Sequence, residues 1–396
     1  MYVSLILSSL LASAALTSAT ANSTWAACQY PRAQGSQLDQ CPNGTLYVSQ
    51  TDPQAGFGQV SRALDSSHVI LIGPGNYHEV INVTRQGPLT LLGVTSDPYD
   101  WRNNQVHVWN SSFINQTTQA VGEDNADAMV LTVSPNRNAS LIGAGPAGAP
   151  LQPEFGNIDF RVYNLDFANR ATVGGREFMG QTGPSGAVSV SYTNASFYGC
   201  SFFSWQDTLY VGRNGSALFY GGEVRGETDY LYGFGTAWFE NVTMANRGNG
   251  GALTAWKGST GIITDEVNTY GVYQANGRIV RAEDAPEDLN LTRSCALGRP
   301  WNNASRAVYL NTYMSDIVLP QGFIEWSAKE PRIVPGLTEF VEVGSYGPGF
   351  QLEQRNQSVG EVANGSAYTV ESVFGGMPAW VDLGTVVFGK GSSASS

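Results

Sequence analysis

The chain is patterned as a succession of short apolar runs broken by glycine, proline and asparagine. VILIGPGNYHEVINV (69–83), LTLLGV (89–94), NIDFRVYNLDFAN (157–169), AVSVSYTNASFYGCSFF (187–203), SALFYGGEVRG (216–226) and AWFENVTMAN (237–246) are rich in β-branched and aromatic residues. Runs of this kind, bounded by turn residues, predict strands. Amphipathic helical periodicity is scarce, and the best short helical candidate is Gly58 to Leu64. Strands without intervening helices disfavour a doubly wound sheet or an alternating α/β barrel. A weak repeat runs through the pattern: Phe197-Tyr198 recurs after 22 residues as Phe219-Tyr220, and again after 19 as Trp238-Phe239. A period near 20 residues made of strands and turns predicts a single-stranded β-solenoid, in which stacking of coils supplies the core that no coil has alone. A β-sandwich also fits the period taken by itself.

Composition agrees. The 396 residues include 46 glycines and 18 prolines, and only 14% are charged, against about 25% in an average globular chain. The net charge of −12 argues against a broad basic face, so neither nucleic acid nor anionic lipid is an expected partner. The first 21 residues carry no charged side chain and end in Ala19-Thr20-Ala21, which predicts a secretory signal cut after Ala21. No other apolar run approaches the ~18 residues of a membrane span, and the GKGSSASS terminus carries no hydrophobic anchor signal.

Thirteen Asn-x-Ser/Thr motifs, at residues 22, 43, 82, 110, 115, 138, 194, 214, 241, 290, 303, 356 and 364, fit a glycosylated extracellular protein. Cys28 and Cys41 close a short segment and are expected to form a disulfide. Cys200 and Cys295 are left as buried thiols or a second bridge. The domains expected are a signal peptide at 1–21, a disulfide-bearing segment at 22–45, a solenoid with short peripheral helices at 46–386 and a flexible tail at 387–396.

Several chemistries drop out. Gly143-Ala-Gly145-Pro-Ala-Gly148 has the spacing of a dinucleotide loop, but Pro146 and Pro150 interrupt the helix such a loop must open, and it is read as a plain loop. With three histidines, at 68, 78 and 107, no nucleophile elbow and no zinc-protease motif, a Ser-His-Asp hydrolase and a metalloprotease are disfavoured.

The chemistry-bearing region is 186–301, with SWQDTLY (204–210), GETDYLYG (226–233) and LGRPW (297–301). In this order the segments resemble the signatures of the pectinesterases, pectin methylesterases built on a right-handed parallel β-helix. GNYHEV (75–80), FYGCSF (197–202), SRAVYLNTYMSDIVLPQGFIEW (305–326), GPGF (347–350) and Trp380 extend the resemblance over residues 50–380.

Physical chemistry gives the pairing of acids a use. Asp207 and Asp229 lie 22 residues apart, close to one coil, and neighbouring parallel strands sit ~4.8 Å apart. Two carboxylates at that spacing do not ionise equally, and the split yields one nucleophile and one general acid. A guanidinium from a later coil would keep one of them ionised. The resemblance implies those roles: Asp229 the nucleophile, Asp207 the acid and then base, Gln206 an amide donor to the oxyanion, Arg299 the partner of the nucleophile, and Trp301 an aromatic lining of the sugar cleft. Tyr210 and Tyr230 are candidate additions to the lining by position.

The chain also departs from the family pattern. Gly186 stands where a second oxyanion-hole glutamine precedes Ala187-Val188, and Trp256 stands where a glutamine is usual beside the cleft and is a further candidate to bind substrate there. Loss of one such donor costs ~2.7–4 kcal/mol of transition-state stabilisation. Gln181 and Ser185 lie nearby but not at a spacing that replaces it. The expectation is an all-β, secreted, monomeric esterase that removes methyl esters from pectin and needs no metal or organic cofactor. The alternatives are a β-helix that binds polysaccharide without cleaving esters, and a pectic lyase or glycoside hydrolase.

Overall fold

The computed structural model describes residues 25–393 except 116, 119, 144–148, 150, 174–175, 178–182, 259–268, 356–358 and 362–364. The expected signal peptide, most of the glycine-rich loop and Gln181 lie outside the described residues.

Three parallel sheets, of eleven, eight and seven strands, wind into a right-handed β-helix. Each coil from 69–83 to 271–300 contributes one strand to each sheet. One coil, for example, runs from 201–203 in the eight-stranded sheet to 209–211 in the seven-stranded sheet and 216–220 in the eleven-stranded sheet. The next coil repeats this at 223–226, 231–233 and 236–240. Runs that read as one or two long strands therefore bend at corners: 69–83 becomes strands at 69–72, 75–78 and 81–83, one in each sheet. Gly73-Pro74 and Glu79-Val80 make its two corners, where proline removes a donor that a continuous ladder would need.

The corner between the eleven- and eight-stranded sheets is tight and repeats along the axis. Asn164, Asn241, Asn276 and Asn311 adopt left-handed φ of 54°, 55°, 55° and 47° there, and Gly199 and Gly221 take φ of 60° and 65° in the two coils between Asn164 and Asn241. Asparagine tolerates this region better than other residues with a Cβ. The asparagines and glycines that break the apolar pattern are thus the bends of the solenoid.

Inside the coils, Phe197, Phe219 and Phe239 stack face to face at centroid separations of 4.9 and 4.5 Å. The repeat seen in the sequence is this ladder, with one difference. Phe197 pairs with Phe219 and Phe219 with Phe239, so Trp238 faces outward, where it stacks 6.0 Å from Tyr273.

The outer face of the eleven-stranded sheet is apolar too, and both ends of the chain cover it. Val370, Val373, Trp380, Val381 and Val386 join a buried cluster with Tyr163, Tyr198, Leu218 and Trp238. The stretch expected as a flexible tail packs as far as Ser393: Gly389 N–H donates to Glu240 and Val370 N–H to the Ser392 carbonyl. Cys28 and Cys41 form the expected disulfide, and Cys200 and Cys295 are buried free thiols.

Helices are few and short, as the pattern predicts. Gly58 to Leu64 forms turns rather than a helix, and the Glu79 carboxylate accepts from the N–H groups of Val60 and Ser61.

Phe219→Ala removes the centre of the ladder, and we expect it to cost ~3–5 kcal/mol. Equilibrium unfolding in urea measures this; a loss under ~1 kcal/mol would contradict a core built on that stack.

Candidate active site

The corner that leads from the eight-stranded to the seven-stranded sheet carries both aspartates. Across it, Phe203 pairs with Arg225, Gln206 bridges Thr228 and Leu209 pairs with Leu231. The offset is the same on both sides of the corner, so Asp207 and Asp229 hold the same place in successive coils, about 4.8 Å apart along the stack. Both have left-handed backbones, with φ of 59° and 49°. That conformation is uncommon outside glycine, and aspartate is among the residues that bear it best. The turn is tied into the ladder: Asp207 N–H donates to the Thr228 carbonyl at 3.1 Å and Asp229 N–H to that of Ala252 at 2.6 Å.

Arg299 arrives from strand 296–300, two coils beyond Asp229, where it pairs with Ala255. Its guanidinium grips Asp229 through both oxygens, Nε to Oδ1 at 2.9 Å and Nη2 to Oδ2 at 2.5 Å. The Trp326 ring lies against the guanidinium, 4.3 Å from Cζ, and limits its movement. The Gln206 side chain, next in sequence, acts to lower the pKa of Asp207.

Asp207 and Asp229 are only 7% and 5% exposed, so desolvation penalises both negative charges. Burial first, and then the charge of Asp229, push Asp207 well above the usual carboxylate range. Burial also pushes Asp229 up, but there the bidentate Arg299 opposes it. Both carboxyls are raised, Asp207 the further, because only at Asp229 does a bonded guanidinium oppose burial.

The aromatic expectations divide. Trp301 is half-buried and packs on an outward-facing cluster that includes Tyr210 and Tyr232; its ring lies 5.9 Å from that of Tyr232. Tyr210 faces out of the coil, 4.8 Å from Tyr232, but is 3% exposed and clusters with Ala126, Met129 and Ile142. Tyr230 and Trp256, expected on the cleft wall, belong to the interior core instead. For Trp256 the reason is strand parity. Leu231 pairs with Thr254, Tyr232 with Ala255 and Gly233 with Trp256, so Trp256 shares the inward side and its indole N–H donates to the Gly235 carbonyl. Tyr230 lies one residue past the corner, fully buried.

Three residues of this face escaped sequence reasoning. Tyr232 follows Asp229 by three residues, as Tyr210 follows Asp207, and that repeat was the available signal. Trp326 closes the FIEW segment, and its contact with Arg299 had no signal in spacing. Lys257 is buried with its Nζ 3.6 Å from the Trp301 ring centre. Burial first, then Arg213 and Arg332, push its pKa down to about 7.

Gly186 precedes Asp207 in the same column, because Val188 pairs with Leu209. The space a side chain would need is filled: a Cβ on Gly186 would lie 2.1 Å from the Met129 sulfur and 3.2 Å from the Asp207 carbonyl oxygen. Ser185 is fully buried and bonded to Ser204 at 2.8 Å.

The profile of a family described as Pectinesterase matches residues 160–376. A probable pectinesterase A of Neosartorya fischeri is 25% identical over 358 residues, which cover 89% of this chain and 93% of the relative. Among solved structures, the pectin methylesterase of Aspergillus niger superposes with a TM-score of 0.65 at 23% identity, over 86% of this chain and 97% of that one. A pectin methylesterase in complex with a hexasaccharide superposes with a TM-score of 0.59 at 21% identity, over 86% and 98%.

The raised pKa of Asp207 has a consequence for stability. Below the ~3.9 of an unfolded aspartate both states hold the proton. As pH rises, the unfolded chain ionises while the native one does not, and native stability falls. Asp207→Asn, which cannot ionise, is therefore expected to raise the melting temperature at pH 7 and to lose that gain near pH 3.5. Thermal denaturation at both pH values checks this; no gain at pH 7 would contradict it.

Proposed function

The chain belongs to the pectinesterase family of ester hydrolases, and from that premise we propose that it removes methyl esters from the galacturonic acid polymer of pectin, with Asp229 as nucleophile and Asp207 as acid and base. The asymmetry of the two carboxylates carries this reading. Asp229 is clamped by Arg299 through both oxygens, while Asp207, one coil away, has no such cation bonded to it and is held toward its neutral form by burial and by its neighbour's charge.

The chemistry follows in two balanced steps. An Asp229 oxygen attacks the ester carbonyl carbon, and the electron pair moves onto the carbonyl oxygen as a tetrahedral oxyanion. The Gln206 amide is the donor available to stabilise that charge. As the oxyanion collapses, the bond to the methoxy oxygen breaks. Asp207 gives it a proton, and methanol leaves an acyl-aspartate. Asp207, now ionised, takes a proton from water as the water attacks the acyl carbon. The bond between the acyl carbon and the Asp229 oxygen then breaks, the product leaves as the carboxylic acid and gives its proton to solvent, and both aspartates return to their first states. Trp301, half-buried and packed on the outward cluster that contains Tyr232, offers apolar surface of the kind on which sugar rings stack. A hexasaccharide-bound relative shares the fold, which supports an oligosaccharide cleft.

The same reading places the protein outside the cell as a glycosylated monomer. Asn43, Asn82, Asn115, Asn138, Asn214, Asn241, Asn290 and Asn303 of the sequons are exposed, and the Cys28–Cys41 bridge suits an oxidising compartment.

Methanol released from methylesterified pectin is the direct assay. The wild-type protein is expected to release it, and Asp229→Asn to lose on the order of 10³-fold or more in kcat while still folding. Polymer shortening or unsaturated ends without methanol would point to a glycoside hydrolase or lyase. Pectin binding without methanol release would point to a carbohydrate-binding protein that has lost its chemistry.

A further inference from the structure

The column of corner residues that holds the aspartates begins earlier in the chain. Leu131 pairs with Val188 and Val188 with Leu209. Met129, Gly186, Asp207 and Asp229 are therefore successive members of one stack. Met129 caps a short 3-10 helix, Asn125–Ala128, that opens the same connection. This one segment does two things at the site. Met129 takes the volume that a side chain at position 186 would need. Four residues before it, Asn125 turns its side-chain amide toward the acid, with Nδ2 3.5 Å from Asp207 Oδ2.

The segment is firmly held. The Asp124 carboxylate accepts from Ala126 N–H at 2.9 Å and, across the connection, from Ile142 N–H at 2.9 Å and Gly143 N–H at 2.8 Å. Asp127 returns a bond to the Asp124 N–H at 2.9 Å and is itself paired with Arg137 at 2.8 Å. A capping box of this kind fixes the first turn, and with it the start of the Asn125 side chain.

We infer that Asn125 is a positioning residue for Asp207, supplying from the 125–129 segment the second side-chain amide that the site lacks at Gly186. The inference rests on the esterase reading above. By donating to Oδ2, Asn125 fixes the carboxyl rotamer and leaves Oδ1 to carry the transferable proton. Gln206 is then free to turn from Asp207 to the oxyanion when substrate is present. Met129 and Asn125 thus act together: the methionine closes the space beside Gly186, and the asparagine brings an amide to Asp207 rather than to the oxyanion.

Methanol release and its pH dependence test this. The charged and titratable groups facing Asp207 are Asp229 from the next coil, Arg299 from strand 296–300 and Tyr232, with Asp124 beside Asn125. Asn125→Ala is expected to lower kcat by about ten- to a hundredfold, a smaller loss than removal of a direct oxyanion donor, with KM within twofold. Loss of a donor to the carboxylate raises its pKa, so the alkaline limb of kcat/KM should move to higher pH. Asn125→Asp, which sets a like charge against Asp207, should move that limb further. If Asn125→Ala keeps kcat within twofold and the limb stays put, the inference is overturned. A rate loss with a lowered melting temperature and no movement of the limb overturns it as well, since the role is then structural. Asp229→Asn run in parallel separates the failures. If Asp229→Asn is inactive and Asn125→Ala is normal, only this inference falls; if Asp229→Asn is as active as wild type, the esterase reading falls with it.

Discussion

Constant register between two neighbouring coils is the constraint on which the site depends. The offset between coils is the same in the eight-stranded sheet, at the Gln206–Thr228 bridge and in the seven-stranded sheet. No residue is gained or lost across the corner, so two left-handed aspartates fall one above the other. A single insertion in either corner would displace one carboxylate and turn following side chains to the opposite face. The phenylalanine ladder inside the same two coils resists such a slip, because the rings would lose their stacking together. Core packing and site geometry are in this sense one property of the solenoid.

Electrostatics then divides two chemically identical side chains. Both are buried, and an isolated buried carboxylate is driven to its neutral form. The difference between them is Arg299, which comes from a coil far along the sequence and is itself held by the Trp326 ring. The guanidinium bonds only Asp229. Arg299 opposes the rise at Asp229, while the charge of Asp229 adds to the rise at Asp207. On the proposed reading, two residues of one type then serve as nucleophile and proton donor.

The sequence showed the strands, the near-20-residue period and the four polar residues that meet at the corner, because those depend on local pattern and on spacing within one or two coils. Side-chain direction was harder to read. Tyr230 and Trp256 looked like cleft residues by position, but the pleat turns Trp256 into the core, Tyr230 is buried at the corner before strand 231–233, and the residue on the outward side is Tyr232. The repeat Asp-x-Leu-Tyr at 207–210 and 229–232 contains that answer, since equivalent places in successive coils point the same way. Contacts made by long connections had no such signal. Neither the filling of the Gly186 space by Met129 nor the packing of the chain's end against the outer sheet follows from any period, because both are set by tertiary packing of irregular segments.

The pH dependence of kcat/KM for Arg299→Gln beside the wild type tests the central claim most directly. If the guanidinium keeps Asp229 ionised, its removal raises the pKa of the nucleophile, and the acidic limb of the profile moves to higher pH while maximal activity falls. An acidic limb that stays where it is in the wild type would show that Arg299 does not set the charge of Asp229, and the division of roles between the two aspartates would have to be abandoned.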